Sequence, residues 1–259
     1  MSSSKNNKKI TLITLSLNSA KTIKDALASV ANQDYQNIEH IIIDGYSSDS
    51  TQSIVMEYSK NSTHEVRFYE HTPRGIYNAL NFGIELATGE IIGVIHADDY
   101  FSSKHSISSV MSAFEDTALC VFGNIDHITN NKKIVRRWQD TCKIEERGYW
   151  WTPPHNASYI HKDLYITYGT YDESYYISGD YDFFCRLPRD IIRNFRHLDK
   201  TVMFQITGGV STSFRNIIQK ELEDFRVLRK YSVHPVRDYV NKKIFKFHQL
   251  NYSFLKNEK

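Results

Sequence analysis

The first hundred residues alternate between two hydrophobic patterns, and this alternation limits the possible folds more than any other feature of the chain. Short β-branched runs, such as IEHIIID at residues 38–44, predict buried strands. The segments between them carry apolar residues at spacings of three and four, as Ile23, Leu27 and Val30 do, and these predict helices. Strands that alternate with helices predict an α/β fold with a parallel sheet and right-handed crossovers.

The regular pattern ends near residue 96. Up to that point the predicted strands are residues 8–17, 38–44, 66–70 and 90–96, and the predicted helices are residues 20–32, 51–59 and 76–87. Beyond it, residues 103–115 and 180–187 predict helices, and residues 119–124 and 133–139 predict strands. Residues 145–155 are rich in aromatic residues and proline, and no regular element is predicted there.

Composition excludes several classes of protein. With 259 residues, 41% of them apolar, the chain is long enough for one large α/β domain or two small ones. Its net charge of +2 gives no general field for nucleic acid. The 3 cysteines show neither a zinc spacing nor a disulfide framework, which favours a reducing, cytoplasmic setting. No signal-peptide core is visible, and no apolar run approaches the ~20 residues of a membrane span.

The C-terminal segment is basic and amphipathic in composition. From Arg215 onward the chain carries 11 Lys and Arg residues against 5 Asp and Glu, mixed with aromatic and aliphatic residues. Two interpretations stay open. The segment is either a helix that lies on an anionic membrane surface, or a helix whose apolar face packs against its own domain.

Polar residues gather where the predicted strands end, and parallel α/β sheets bind their ligands at that edge. These residues are Ser16, Asn18, Asp44 and Arg74, followed by Asp98 and Asp99 in the sequence VIHADDY. Two adjacent carboxylates repel each other unless a cation lies between them, and carboxylate oxygens are the ligands that Mg²⁺ and Mn²⁺ prefer. The alternative is that Asp99 caps a following helix.

Other candidate residues also have an ordinary structural interpretation. Asp44 suits a hydrogen bond to a base or ribose, but equally an Asx-turn. Arg74 suits a phosphate or a base, but equally a solvated loop. Asp180, in YYISGDYDFFCRL, is a possible general base or a helix N-cap. His155 lies in the aromatic sequence WWTPPHNAS, where a lone histidine is more often structural.

Three longer segments, taken in order, resemble the family 2 glycosyltransferases. They are TLITLSLNSAKTIKDALASVANQDYQNIEHIIIDGYSSDST, TPRGIYNALNFGIELATGEIIGVIHADDYF and PHNASYIHKDLYITYGTYDESYYISGDYDFFCRL. The resemblance covers most of residues 8–190. It implies the GT-A fold, a Rossmann-like and mostly parallel central sheet flanked by helices, and a nucleotide-diphosphate sugar as donor.

The resemblance also implies roles for individual residues. Asp44 would bind the base, with Ser16, Asn18 and Arg74 in the same pocket. Asp98 would serve the ribose or diphosphate and Asp99 a divalent cation, Mn²⁺ or Mg²⁺, although the two roles could be exchanged. Asp180 would be the catalytic base, and Trp151 and His155 would line the acceptor side. The segment GGVST, at residues 208–212, resembles a further family segment that touches the donor diphosphate.

This reading divides the chain into three parts. We expect a disordered N-terminus at residues 1–7 and a GT-A domain at residues 8–212. The domain has a nucleotide-sugar half at 8–100 and an acceptor-side half at 101–212. Residues 213–259 form a basic-aromatic helical extension. The implied protein is cytoplasmic, or peripheral on the inner face of the membrane, and acts on a saccharide or lipid-linked saccharide in bacterial surface-polysaccharide synthesis.

The sequence departs from the family pattern at three positions. Gly45, His96 and Gly179 stand where many relatives carry acidic residues. These departures leave open a sugar-binding protein without catalytic activity. The processive synthases' Q-x-x-R-W signature is absent, so we expect a single, inverting addition per binding event. A nucleotidyltransferase is a further alternative, but the segment SLNSAKT after the first strand has none of the glycines of a phosphate loop.

Overall fold

The computed structural model describes residues 8–72, 74–114, 118–129, 131–206 and 214–256, and every structural statement below concerns these residues. The expected disorder of residues 1–7 and the family-like segment at residues 208–212 lie outside this range. The seven elements predicted up to residue 96 are confirmed, with ends that shift by a few residues. They are β1 (Ile10–Ser16), α1 (Ile23–Ala31), β2 (Ile38–Asp44), α2 (Thr51–Asn61), β3 (Glu65–Glu70), α3 (Ile76–Leu86) and β4 (Ile91–Val94).

The second part of the chain contains more strands than the sequence predicted. Its elements are β5 (Asp99–Phe101), α4 (Ser106–Ala113), β6 (Cys120–Ile128), β7 (Ile134–Trp138), β8 (Ser158–His161), α5 (Lys162–Tyr168), α6 (Gly179–Arg186), α7 (Arg189–Arg193) and β9 (Arg196–Ile206). Strands β5, β8 and β9 were not predicted. Strands β5 and β8 are too short to show a period, and β9 begins with the polar sequence RHLDK.

All nine strands of the described chain join one sheet. The order is β3-β2-β1-β4-β8-β6-β9-β5, with β7 paired to β6. Strands β1 to β4 are parallel, β8 lies antiparallel between β4 and β6, and β9 is parallel to β6. Six strands therefore share one direction, and β5, β7 and β8 run the other way. Because β4 and β8 are direct partners, the two proposed halves of the domain share a single sheet.

The register of the sheet brings the predicted site residues to one edge. Ser16 at the end of β1 lies opposite Asp44 at the end of β2. On the other side of β1, β4 ends at Val94, opposite Ile13. The loops that follow β1, β2 and β4 therefore emerge side by side at the carboxyl edge of the sheet, as the alternating pattern predicted.

Two long helices, α8 (Phe214–Tyr231) and α9 (Pro235–Lys256), complete the described chain. They pack against the domain through side chains that reach α6 and the aromatic segment before β8. The Lys230 ammonium lies 3.1 Å from the buried Asp182 carboxylate, and the ring centroids of Phe245 and Trp150 are 5.2 Å apart. Packing of the extension on its own domain is therefore confirmed. Within the described residues, no helix is long and apolar enough to cross a membrane.

Candidate active site

The carboxylate of Asp44 joins the ends of β1 and β2 to the start of α2. Its side chain is 0% exposed. It accepts hydrogen bonds from Ser16 Oγ at 2.8 Å, from Ser47 N at 2.7 Å and Oγ at 2.6 Å, and from Gln52 Nε2 at 3.2 Å. Ser47 lies three residues after Asp44, so its two hydrogen bonds form the turn that the structural interpretation of Asp44 predicted. A direct contact between Asp44 and a base stays a prediction.

The loop after β1 is tied to the same turn. Asn18 Oδ1 accepts a hydrogen bond from Ser48 N at 2.9 Å, and Asn18 N donates to Ser47 Oγ at 2.8 Å. Asn18 adopts φ +49°, a left-handed conformation that asparagine tolerates better than most residues. Arg74 is exposed in the loop after β3, next to Gly75, whose φ is +106°. These loops form one preformed rim at the carboxyl edge of the sheet.

Asp99 is a buried carboxylate with one oxygen that lacks a partner. It begins β5 and is 0% exposed. Its Oδ2 accepts a hydrogen bond from Asn156 Nδ2 at 2.7 Å, whereas Oδ1 is buried with no hydrogen-bond partner. Burial and the adjacent charge of Asp98 raise the pKa of Asp99 to about 8. The helix-capping alternative is wrong, because Asp99 lies in a strand and α4 begins only at Ser106.

Asp98 and Asp99 are the residues that could hold a divalent cation, with a bound phosphate completing its coordination. Asp98 is half-buried, and burial raises its pKa as well. In the described part of the chain no cluster of three His, Cys, Asp or Glu side chains is arranged as a metal site. Mg²⁺ and Mn²⁺ sites in phosphate-transferring enzymes commonly use one or two carboxylates, with phosphate and water completing the shell. The unpartnered Asp99 Oδ1 is the atom that such a cation would satisfy.

Two histidines face each other beside the acidic pair. The ring centroids of His96 and His155 are 6.0 Å apart. Burial and His155 lower the pKa of His96 to about 4, and burial also lowers the pKa of His155. The carboxylate of Asp180 partly opposes both shifts, so it lies within electrostatic reach of both rings. Both imidazoles are therefore neutral near pH 7 and supply hydrogen-bonding nitrogens rather than charge.

His155 Nε2 is buried without a hydrogen-bond partner, as Asp99 Oδ1 is. Its other nitrogen, Nδ1, lies 3.5 Å from Tyr171 Oη. Buried polar groups normally have partners, so this unpartnered nitrogen marks a position that a ligand or water can complete. The ring of His155 thus lies next to that of His96, and the Asp180 carboxylate acts electrostatically on both. An acceptor contact of His155 stays a prediction.

Asp180 lies in the first turn of α6, behind the residue that caps the helix. The cap position is Ser178, so Asp180 is not the N-cap that the alternative interpretation required. Asp180 Oδ1 accepts a hydrogen bond from Tyr77 Oη at 3.0 Å, and Tyr77 Oη also lies 2.5 Å from the carbonyl oxygen of Ile177. The tyrosine therefore fixes one carboxylate oxygen of Asp180.

Gly179 is explained by the same tyrosine. A Cβ at this position would lie 2.8 Å from the ring of Tyr77, closer than real Cβ contacts. Only glycine lets the first turn of α6 approach the ring closely enough for Tyr77 to reach Asp180. The residue that departs from the family pattern here is thus a packing requirement of this site.

Trp151 does not lie where the resemblance placed it. The side chain is 0% exposed, its Nε1 donates a hydrogen bond to Asp140 Oδ1 at 3.1 Å, and the Arg147 guanidinium lies 4.3 Å from the ring centroid. It presents no surface to an acceptor. We therefore give Trp151 a structural role in the core beneath the aromatic segment.

Two acidic residues of α8, which sequence reasoning missed, hold the loop that leads to Asp180. Glu223 is 5% exposed and accepts hydrogen bonds from the backbone N–H groups of Tyr176, Ile177 and Ser178 at 2.9–3.0 Å. Asp224 accepts a further hydrogen bond from Ser178 Oγ at 2.7 Å. No local pattern indicates these contacts, because the partners are some 45 residues apart in the chain.

We expect Glu223→Gln to lower turnover about 10- to 100-fold with little change in the KM for the donor, because a small displacement of a catalytic group is costly. The matched control is Glu221→Gln on the same helix. Glu221 bonds Tyr239 and Lys243 on α9 and does not contact the loop. Steady-state kinetics and thermal unfolding of both variants check this. Equal losses of turnover in the two variants, or losses that follow stability, would contradict a positioning role.

The model of glycosyl transferase family 2 matches residues 11–186 of the chain. Among curated proteins, a PGL/p-HBAD biosynthesis glycosyltransferase of Mycobacterium bovis is 25% identical over 214 residues, which is 81% of this chain and 80% of that protein. An uncharacterized glycosyltransferase of Mycobacterium tuberculosis is 27% identical over 183 residues, with 68% of each chain covered.

Solved structures of glycosyltransferases share the fold. S. aureus TarS in complex with UDP-GlcNAc superposes with a TM-score of 0.69 and 16% identity, over 90% of this chain and 72% of that one. The mannosyltransferase PcManGT from Pyrobaculum calidifontis, in complex with GDP-Man and Mn²⁺, gives a TM-score of 0.64 at 16% identity, over 91% and 69%. The predicted GT-A fold is confirmed. The protein belongs to glycosyl transferase family 2 and is a glycosyltransferase.

Proposed function

We propose that the protein transfers one sugar at a time, with inversion, from a nucleotide-diphosphate sugar to an acceptor hydroxyl, with Asp180 as the base. One observation carries this proposal. The Asp180 carboxylate, fixed by Tyr77, shares its surroundings with His96 and His155, and His96 lies two residues before the acidic pair that follows β4. This arrangement supports a proton acceptor and a diphosphate site on either side of one reacting centre.

The donor would lie along the rim at the carboxyl edge of the sheet. The loops that hold Ser16 and Asn18 and the turn held by Asp44 would cradle the base, and Arg74 would reach the phosphates. The hydrogen bonds that Ser16, Ser47 and Gln52 donate to Asp44 would also hold the shape of this rim. A UDP-sugar is favoured, and the nucleotide-sugar complexes of TarS and PcManGT support a donor of this class.

The metal proposed here is Mn²⁺ or Mg²⁺, held by Asp98 and Asp99. When bound, it would neutralise the charge that develops on the leaving diphosphate. The chain's own contribution is the pair of carboxylates at the end of β4, with Asn156 holding Asp99 in place. The PcManGT complex with GDP-Man and Mn²⁺ supports a divalent cation in this fold.

Asp180 would accept the proton of the acceptor hydroxyl as that oxygen attacks the anomeric carbon from the face opposite the diphosphate. Tyr77 occupies Oδ1, so Oδ2 is the oxygen that the structure leaves for the proton. A neutral carboxylic acid and a nucleoside diphosphate result, and the configuration at the anomeric carbon is inverted. His155 would hydrogen bond to the acceptor through its unpartnered Nε2.

The acceptor proposed is a saccharide, free or lipid-linked, in the synthesis of a bacterial surface polysaccharide. The reaction would then take place in the cytoplasm or at the inner face of the cytoplasmic membrane. The family resemblance supports this acceptor class, and a relative in Mycobacterium bovis is likewise named for a biosynthetic pathway, that of PGL/p-HBAD.

A thermal-shift screen of nucleotide-sugars, each with and without Mn²⁺, tests the proposal. A ligand that binds only the native state raises the unfolding temperature in proportion to the logarithm of its concentration over its dissociation constant. We expect at least one UDP-sugar to stabilise the protein in the presence of Mn²⁺, and more than Mn²⁺ or UDP alone. A screen in which no nucleotide-sugar stabilises the protein contradicts the proposal and favours a protein whose site has lost its donor.

A further inference from the structure

The outer face of α8 and α9 is unusual in its composition. Among the described side chains from residue 215 to residue 247, the exposed ones include no Asp or Glu. Along α8, Arg215, Ile218, Leu222, Arg226 and Arg229 recur at spacings of three and four and are all exposed, so they form one stripe of mixed cationic and aliphatic character.

A second exposed stripe runs along α9. Val236, Val240, Ile244 and Phe247 recur at spacings of four, four and three, and they are 64%, 49%, 50% and 61% exposed. Leu222, on α8, is 65% exposed. Isolated apolar side chains on a surface are ordinary, but apolar residues aligned in stripes mark an interaction surface.

The two stripes lie on the same side of a helical hairpin. The helices run antiparallel, since Glu221 contacts Lys243, whereas Phe225, one turn later on α8, contacts Tyr239, one turn earlier on α9. Relative to this line of contact, helical geometry puts the buried residues Asp224 of α8 and Asp238 of α9 on one side of each helix and the stripes on the other.

The acidic residues of these two helices point inward and have partners. Glu223 holds backbone amides, Asp224 lies between Lys220 and Lys242, and Asp238 accepts a hydrogen bond from Ser232 Oγ at 2.6 Å. Glu221 is taken by Tyr239 and Lys243 at the contact between the helices. The outer face is therefore positive as well as apolar, although the whole chain carries a net charge of only +2.

We propose that this outer face docks the enzyme on an anionic lipid bilayer. Aliphatic and aromatic side chains on an amphipathic helix enter the boundary between headgroups and acyl chains, and neighbouring arginines bind anionic headgroups. A second copy of the chain fits less well. A two-fold contact through the same face would bring the arginines of α8 against an identical basic surface.

Docking would also orient the catalytic site. The inner side of α8 carries Glu223, which holds the loop before Asp180, so one helix connects the proposed bilayer surface with the proposed base. The idea that docking presents the site to a lipid-linked acceptor rests on the proposed function. Bilayer binding itself does not rest on it, because that binding is measured without donor or acceptor.

The test is co-sedimentation of the full-length protein with vesicles of phosphatidylcholine alone and of equimolar phosphatidylglycerol and phosphatidylcholine. We expect binding to the anionic vesicles only, weakened by salt. Arg215→Gln with Arg229→Gln should weaken it about 20-fold, and the paired control is Lys24→Gln with Lys60→Gln on α1 and α2. The double variant Leu222→Ser with Ile244→Ser should weaken vesicle binding to a similar extent. Its control is Met56→Ser with Ile166→Ser, two exposed apolar residues elsewhere on the surface.

Three outcomes overturn the docking surface. They are equal binding of wild type to both kinds of vesicle, no binding to either, and unchanged binding of the α8 and α9 variants. Light scattering of the same variants tests the alternative that the face binds a second copy of the chain. A wild-type dimer that these variants split, without vesicle binding, assigns the face to self-association. Donor binding in the thermal-shift screen reports separately on the proposed function, so either idea can fail alone.

Discussion

Replacing Asp180 with asparagine is expected to lower the rate of sugar transfer by about 100- to 10,000-fold, the usual contribution of a general base. Asparagine has the same shape and can still accept the hydrogen bond from Tyr77 Oη that Asp180 Oδ1 receives at 3.0 Å. It cannot take a proton from the acceptor hydroxyl. Donor affinity should change little, because the donor contacts proposed here lie on the other side of the reacting centre.

To test this prediction, both the rate of sugar transfer and the affinity for the donor are measured in the wild type and in Asp180→Asn. Transfer is measured as release of nucleoside diphosphate at saturating acceptor, and donor affinity by calorimetry in the presence of Mn²⁺. Asp163→Asn is the control, because that carboxylate is 68% exposed on α5, away from the proposed site. An Asp180→Asn enzyme that transfers sugar at nearly the wild-type rate would assign the base to another group.

Replacing Asp99 with asparagine should weaken donor binding in the presence of Mn²⁺ by about 100-fold or more, because a metal supplies several kcal/mol to a phosphate site. The amide oxygen can still accept the hydrogen bond that Asn156 Nδ2 donates at 2.7 Å, so the fold of β5 is preserved. What is lost is the ability of the buried and unpartnered oxygen to ionise and carry a negative charge towards a cation. Asp98→Ala should have an effect of the same sign, since Asp98 is the other proposed ligand.

A proton competes with the metal at Asp99, which gives this prediction a second signature. Burial raises the pKa of Asp99 to about 8, so in the metal-free protein the carboxyl is protonated at neutral pH. Each pH unit below that value should therefore lower Mn²⁺ affinity about tenfold, and affinity should level off above it. The asparagine variant should lack this dependence. Calorimetry that finds unchanged donor affinity in both the Asp98 and the Asp99 variants would remove the metal site.

The first half of the fold was predictable because its signals are local. The segment IEHIIID forms β2 with the predicted ends, because a short segment rich in isoleucine is buried most readily as a strand of a parallel sheet. The residues at strand ends were predictable too, because the topology sends successive loops to one edge. Strand β9 escaped prediction because its pairing with β6 and β5, rather than its composition, makes it a strand.

Prediction of the candidate site was likewise limited to what local sequence shows. Asp98, Asp99 and Asp180 could be chosen from their sequence positions, but the groups that control them come from distant segments. Asn156 reaches Asp99 across 57 residues, and Tyr77 reaches Asp180 across 103. These contacts depend on the way β8 inserts beside β4, which no local pattern in the sequence indicates.

Trp151 was misplaced for a related reason. The resemblance put Trp151 on the acceptor side with His155, but the indole lies in the core, where it contacts Asp140 and Arg147. Position along the chain therefore located the candidate site, and tertiary packing decided which side chains face it.

The identity of the phosphate product tests the central claim most directly. The purified protein is incubated with UDP-sugars, Mn²⁺ and a saccharide acceptor mixture, and the products are followed by phosphorus NMR. Glycosyl transfer predicts UDP as the product, formed in equal amount to the sugar transferred and lost in the Asp180→Asn variant. Release of pyrophosphate, or formation of UDP that the Asp180→Asn variant sustains at the wild-type rate, would contradict the account.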